Sequence, residues 1–117
     1  MSAMQKTLFQ KIADKEIPAA IVYEDELCVA FRDIAPAAPV HVLLVPRNPI
    51  PDIAAATAED AALLAHLMLK VGDIARAEGL AEGGFRTVMN TGEQAGQTVP
   101  HLHIHIIGGR SLQWPPG

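Results

Sequence analysis

Apolar and polar positions along this chain follow two periods, and the switches between them outline its elements. Leu8, Phe9 and Ile12 follow Thr7 at the spacing of one helical face, and Pro18 would stop that short helix. Residues 20–23 read as a strand. Glu24, Asp25 and Glu26 form a polar turn, and residues 27–32 read as the returning strand of a hairpin. Residues 33–39 hold two prolines and predict a loop. Residues 40–45 are a compact β-branched run with His41 inside it, which predicts a buried strand. Residues 46–51 carry three prolines and must be loop.

Thr57 opens the clearest helix. Its hydroxyl can cap, and Glu59 and Asp60 suit the positive end of the dipole. Leu64, Leu67, Met68, Val71, Ile74 and Ala75 then keep helical spacing until Gly79. Residues 85–90 predict another strand, 92–97 a glycine-bearing loop, and 99–107 a last strand. Strands in succession around one long helix predict an antiparallel α+β domain. The tail from Gly108 fits neither period. Trp114, the only tryptophan, needs a body to pack on, either this domain or a second copy.

The chain has 117 residues, room for one domain over 1–117 but not for two. Half its residues are apolar and 19% are charged, which excludes a disordered chain. Net charge is −4 with no Lys/Arg run, which argues against a nucleic-acid polymer as partner. A small phosphate ligand stays open, because one loop of backbone amides can hold it. One cysteine, Cys28, cannot form an internal disulfide and suits a reducing compartment. The first ten residues hold no apolar signal core, and no stretch is long enough to span a bilayer. The expectation is a cytoplasmic protein with no membrane partner.

The chemistry concentrates at His101-Leu102-His103-Ile104-His105-Ile106-Ile107. On an extended backbone the three imidazoles share one face, and Leu102, Ile104 and Ile106 share the other. A lone strand histidine is usually structural; three at period two suit a proton, a metal or an anion. For a metal, Cys28 or His41 could add a fourth ligand. Yet no CxxC, no HExxH and no carboxylate cluster stands near the row, so no metal or other cofactor is expected. For catalysis, one neutral imidazole acts as nucleophile or base while its neighbours oppose its protonation. The loop Gly92-Glu93-Gln94-Ala95-Gly96-Gln97-Thr98 adds amides and a hydroxyl that suit a phosphate. Taken alone, His41 reads as a core residue, His66 has no evident role, and Cys28 reads as a small core hydrophobe.

At these residues the chain resembles the Hint branch of the histidine triad (HIT) family. The resemblance rests on the alternating histidines, on Phe31-Arg32-Asp33-Ile34-Ala35-Pro36 and on Pro39-Val40-His41. It continues through Asn90-Thr91-Gly92, Gly96-Gln97-Thr98, Gly108-Gly109-Arg110 and the ending Trp114-Pro115-Pro116-Gly117, covering nearly the whole chain from Thr7. It implies a HIT-like α+β fold: an antiparallel sheet, one long and one short helix, and sheets joined across a homodimer. It implies hydrolysis of purine nucleoside phosphoramidates, with aminoacyl-adenylate-like compounds as further substrates. Under it, His103 is the nucleophile, and His101, His105 and His41 support it and the phosphate. Thr98 sits near the leaving group. Asp33 binds the ribose, and Ile34, Phe31, Phe9, Ile12 and Ile17 form the base pocket. Asn90, Gly96 and Gln97 belong to the phosphate and leaving-group loop. Apart from the resemblance, the tail begins just after the histidine strand, so in a symmetric dimer Trp114 is expected to reach the partner's site and shape its leaving-group side. The chain departs from the pattern in two places. Thr98 stands where the family usually has Ser, and Pro100 where an aromatic is frequent. Proline lacks an N–H, so the strand should begin at or after it. Nucleotide binding with incidental turnover, and metal-dependent hydrolysis, remain the rival functions.

Overall fold

A computed structural model describes residues 5–117. Residues 1–4, part of the stretch read above as lacking a signal core, lie outside the described residues. Two helices and five strands carry the fold: α1 (Leu8–Ala13), β1 (Ile21–Glu24), β2 (Cys28–Arg32), β3 (Val40–Pro46), α2 (Ala61–Ala77), β4 (Phe85–Val88) and β5 (Ile104–Gly108). The strands form one sheet in the order β1-β2-β3-β5-β4, with every neighbour antiparallel. Among the described residues no helix is long and apolar enough to cross a membrane.

Strict alternation in the middle strands builds two cores, one on each face. Cys28, Ala30, Val42, Leu44, Ile104 and Ile106 meet Leu67, Val71, Ile74 and Ala75 of α2. Val29, Phe31, Leu43 and Val45 face the other way and meet Phe9, Ile12 and Ala13 of α1. Leu44, Leu67, Ile104 and Ile106 are almost wholly buried. Each contributes roughly 1.5–3 kcal/mol by leaving water, which outweighs the weak pairing of short strands. A polar substitution at Leu44 would break the α2 face at its centre.

Local chemistry sets the ends of these elements. Thr7 caps α1 by accepting the Gln10 amide at 3.0 Å, while Gln10 Oε1 accepts the Thr7 amide at 2.9 Å. This reciprocal pair satisfies two donors that a six-residue helix would otherwise leave bare. Thr57 caps a single 3-10 turn, Ala58–Asp60, which runs directly into α2, so the helix begins later than the cap suggests. The predicted strand over 85–90 stops at Val88, because its partner β5 begins at Ile104 and pairs Val88 with His105.

The last strand also differs from its predicted span of 99–107. It runs Ile104–Gly108, and residues 101–103 approach it outside the ladder. Pro100 has no amide to donate. The next two amides turn elsewhere, His101 N–H to Val99 O at 2.8 Å and Leu102 N–H to Ile50 O at 2.7 Å. Alternation survives without the ladder: Leu102, Ile104 and Ile106 all enter the α2-side core. Two glycines finish the strand. A Cβ on Gly108 would come within 2.8 Å of Leu80, and Gly109 adopts φ +95° with Pro39 against it.

Candidate active site

On the α1 side of the sheet, a cleft of about 370 Å³ opens between α1, the end of β2, and the loop before β5. Leu43 and Val99 line its inner wall. Register brings the histidines to it from different parts of the chain. His41 of β3 pairs with Ile107, and Leu43 with His105, so His41 and His105 lie one pleat apart on adjacent strands. Their rings touch, with His41 Nε2 2.8 Å from His105 Nδ1.

Hydrogen-bond partners assign the protons. The Ala37 amide donates to His41 Nδ1 at 3.0 Å, so that nitrogen carries no proton and Nε2 must. His41 Nε2–H therefore donates to His105 Nδ1, and the His105 proton sits on Nε2. Arg110 steadies the start of this relay by donating to the Ala37 carbonyl at 2.8 Å. Burial, then the fields of His103 and His41, pushes the His105 pKa down to about 4. His105 thus meets the cleft as a neutral N–H donor.

His103 is held the opposite way. Its Nδ1 donates to the His101 carbonyl at 2.8 Å, which leaves a lone pair on Nε2 of the neutral ring. Nε2 has no hydrogen-bond partner among the described residues, and no buried side-chain polar atom there goes unpartnered. That nitrogen therefore opens to the cleft. Phe9 packs edge-on against the ring with centroids 4.9 Å apart. The rings of His103 and His105 stand 5.1 Å apart, a free lone pair beside a free N–H.

Asp33 sits where β2 ends. Its Oδ1 accepts the Ala35 amide at 2.8 Å, and its Oδ2 lies 3.5 Å from His41 Nε2. Asp33, Ile34, Phe31, Phe9, Ile12, Ile17, Asn90, Gly96, Thr98, His103 and His105 all line the cleft. Ile34 is 99% exposed, an apolar side chain held out at the cleft rim. The cleft thus has an apolar end beside a carboxylate, and an imidazole end beside a hydroxyl.

Four expected residues stand outside this lining. His41 acts through His105. His101 turns inward and is wholly buried: Nε2 donates to Pro46 O at 2.7 Å, so Nδ1 is the acceptor facing Thr7 Oγ1 at 2.6 Å. Burial lowers its pKa, and both nitrogens are taken, so direct support of a phosphate by His101 does not fit the structure. Gln97 spends its amide bracing its own loop, donating to Pro51 O and Val99 O and accepting from the Gly92 amide. Trp114 is 80% exposed, so its own domain does not cover the indole; Arg86 holds the tail through the Gln113 carbonyl at 2.9 Å.

The comparisons agree with the fold. The HIT domain model matches residues 14–112. A HIT-like protein of Synechococcus elongatus is 63% identical over 113 residues, covering 97% of this chain and 98% of its own. Adenylylsulfatase HINT1 of Arabidopsis thaliana is 47% identical over 113 residues, covering 95% of this chain and 76% of its own. The crystal structure of a HIT family hydrolase from Legionella pneumophila superposes with a TM-score of 0.93 at 46% identity, over 96% of this chain and all of that one.

The chain belongs to the HIT family.

Two groups in this HIT protein bring possible metal ligands within 4.8 Å of one another: Asp33 with His41 and His105, and Asp25 with Cys28 and His66. In the first, a cation at His41 would have to displace the proton shared with His105. In the second, burial pushes the Cys28 thiol up to about 12, so it meets the site as a neutral group and not as a thiolate ligand. Sequence reasoning gave His66 no role, yet its Nε2 lies 2.7 Å from Asp25 Oδ2. It also passed over Thr7 as a partner of the histidine row. The Thr7-x-x-Gln10 capping pattern before an apolar face was the available signal.

Proposed function

We propose that this HIT protein is a hydrolase that cleaves the P–N bond of purine nucleoside phosphoramidates through a covalent nucleotidyl-histidine. The observation that carries this is the paired state of two rings at one cleft: a bare Nε2 on His103 and a proton-bearing Nε2 on His105. His103 Nε2 attacks the α-phosphorus in line, the P–N bond breaks, and the amine leaves with a proton. Water then attacks the phosphorus, His103 recovers its lone pair, and nucleoside monophosphate departs. One difficult displacement becomes two easier ones. His105 stabilises charge on the nonbridging oxygens. The Ala95, Gly96 and Gln97 amides are spent on carbonyls of their own loop, which shapes the cleft wall beside the phosphate. Thr98 holds the leaving nitrogen and relays a solvent proton to it through its hydroxyl. The proton lost by the attacking water returns to solvent, so the hydroxyl is unchanged over the cycle. Phe9, Ile12, Ile17, Phe31 and Ile34 sandwich the purine, and Asp33 accepts the two ribose hydroxyls. The scheme routes no step through a metal or another cofactor.

His103→Ala tests it. Turnover of an adenosine phosphoramidate should fall by about four orders of magnitude or more. Nucleotide binding should persist, and intact mass during native turnover should show a nucleotidyl adduct. Near-native turnover in the variant removes the assignment, and binding without native turnover favours a nucleotide-binding module. The Arabidopsis relative is named an adenylylsulfatase, which makes adenylyl sulfate a second substrate to assay at the same phosphorus.

The same reading includes a homodimer. Strand β4 ends the sheet with its outer edge unpaired among the described residues, near an exposed Phe85. Met68, Leu69 and Trp114 are exposed as well, a large apolar complement for a chain of this size. Sedimentation equilibrium at micromolar concentration separates dimer from monomer.

A further inference from the structure

His101 offers neither ring nitrogen to the cleft, yet it is the most completely enclosed of the three histidines in the row. Its place makes sense through its backbone. The His101 carbonyl is what holds His103 Nδ1–H, so the setting of His101 is the setting of the nucleophile. Two contacts clamp the His101 ring. One is the carbonyl of Pro46 at the end of β3, which any sequence there would supply. The other is a side chain, the Thr7 hydroxyl. Because His101 Nε2 donates, its Nδ1 must accept, so the Thr7 O–H donates to it. The lone pairs of the same oxygen receive the Gln10 amide. One hydroxyl thus closes the first turn of α1 and fixes the ring behind His103.

We propose that Thr7 is a positioning residue: by donating to His101 Nδ1, it holds the His101 carbonyl where it keeps His103 in the tautomer with Nε2 bare. Alternating histidines alone do not provide this. Without the Thr7 bond the His101 ring keeps only its Pro46 anchor, and the segment at residue 101 is no longer tied to α1. A shift of the His101 carbonyl would then let His103 share its proton between both nitrogens. The arrangement also ties the cleft's apolar end to its reacting end. Phe9, two residues along the same helix, both lines the cleft and packs on His103. Thr7 and Phe9 therefore fix the backbone anchor and the ring face of His103 from one short helix. This inference rests on His103 being the nucleophile.

Four variants separate positioning from helix capping. Thr7→Val keeps the volume and loses the hydroxyl. Thr7→Gly loses the hydroxyl at a small capping penalty, since glycine is tolerated at that position, and it serves if the valine variant folds poorly. Gln10→Ala weakens the cap and leaves the Thr7–His101 bond. Thr7→Ser restores the donor. With an adenosine phosphoramidate, kcat should fall about tenfold in the Val and Gly variants, the scale of one lost hydrogen bond, with KM within about twofold. Ser should recover it, and Gln10→Ala should keep native kcat. Imidazole ¹⁵N spectra read the tautomers without turnover: native His103 should show a protonated Nδ1 and a bare Nε2, and the Val and Gly variants a mixture. Equal losses in Gln10→Ala and Thr7→Gly, or an unchanged His103 spectrum in both hydroxyl-free variants, would overturn the proposal. A native protein that turns over no phosphoramidate would instead overturn the proposed function, and the spectra would still decide the role of Thr7.

Discussion

Two clusters of carboxylate and imidazole lie on opposite faces of this sheet, and they are finished differently. Asp25 and His66 sit on the α2 side with Cys28; Asp33, His41 and His105 sit on the α1 side. Asp25 is saturated. It accepts Tyr23 Oη–H at 2.6 Å, the Leu27 and Cys28 amides at 2.8 Å each, and His66 Nε2 at 2.7 Å. Every strong valence closes inside the protein, and the result ties the β1–β2 turn to α2. The other cluster is left open at one end. Ala37, His41 and His105 pass a single donor orientation along the chain of rings and finish on an N–H that faces the cleft. Similar residues give a rivet in one place and a reactive surface in the other. Composition does not separate them; the number of valences left unspent does.

The largest expected break in this comparison is at His105. His105→Phe keeps an aromatic ring but removes the terminal donor. Turnover should fall roughly 100- to 1,000-fold, the scale of one lost oxyanion donor, with a modest fall in melting temperature because the buried His41 Nε2–H loses its acceptor. Steady-state kinetics beside calorimetry would read both. A variant with near-native turnover would mean that the relay does not serve the phosphate.

Asp33 comes next. Asp33→Ala should weaken ribonucleotide substrates by about 1.5–3 kcal/mol, roughly ten- to hundredfold in kcat/KM. Dideoxyribose analogues should lose far less, because they lack the donors. Equal losses in both series would give Asp33 another task.

Asp25 should respond in the opposite register. Asp25→Ala strands several donors and should destabilise the fold by about 1.5–3 kcal/mol while turnover stays within about twofold. Chemical denaturation and a turnover assay on the same sample compare the two clusters directly.

Acid should sharpen the contrast by a smaller amount. His105 takes its proton at about 4 when folded, against an ordinary value of 6.5. The unfolded chain therefore binds a proton that the folded one refuses. Stability is full above 6.5 and declines as pH falls toward 4. His105→Phe should remove the His105 share of that decline, leaving the share of His101, whose pKa burial also lowers. Burial alone would raise Asp25, but its Tyr23, backbone and His66 donors outweigh this and hold it below the carboxylate range. Its stabilisation is full above about pH 4 and is lost below it. Asp25→Asn should flatten only that lower limb. Stability measured against pH in the two variants would show whether the two clusters titrate separately.

The hydrophobic pattern by itself determined the layout: five strands, a long helix after the proline loop, and histidines whose apolar alternates enter the core. Such features follow from periodicity, which is local and repeats along the chain. Element ends were less legible, because they depend on partners. β4 stops where β5 begins, and residues 101–103 leave the ladder because their amides find Val99 and Ile50. The histidine row announced a reactive surface, and Asp33 and the apolar cleft residues were named through the family resemblance. Only the tertiary structure divided the labour among the histidines. His101, His103 and His105 are equivalent in sequence. What distinguishes them is the atom each nitrogen meets: Thr7 and Pro46 for one, a backbone carbonyl and open cleft for the next, His41 for the third. A proton goes to whichever nitrogen faces an acceptor. That choice is made by residues as far as 94 positions away in the chain, and no local pattern could hold it.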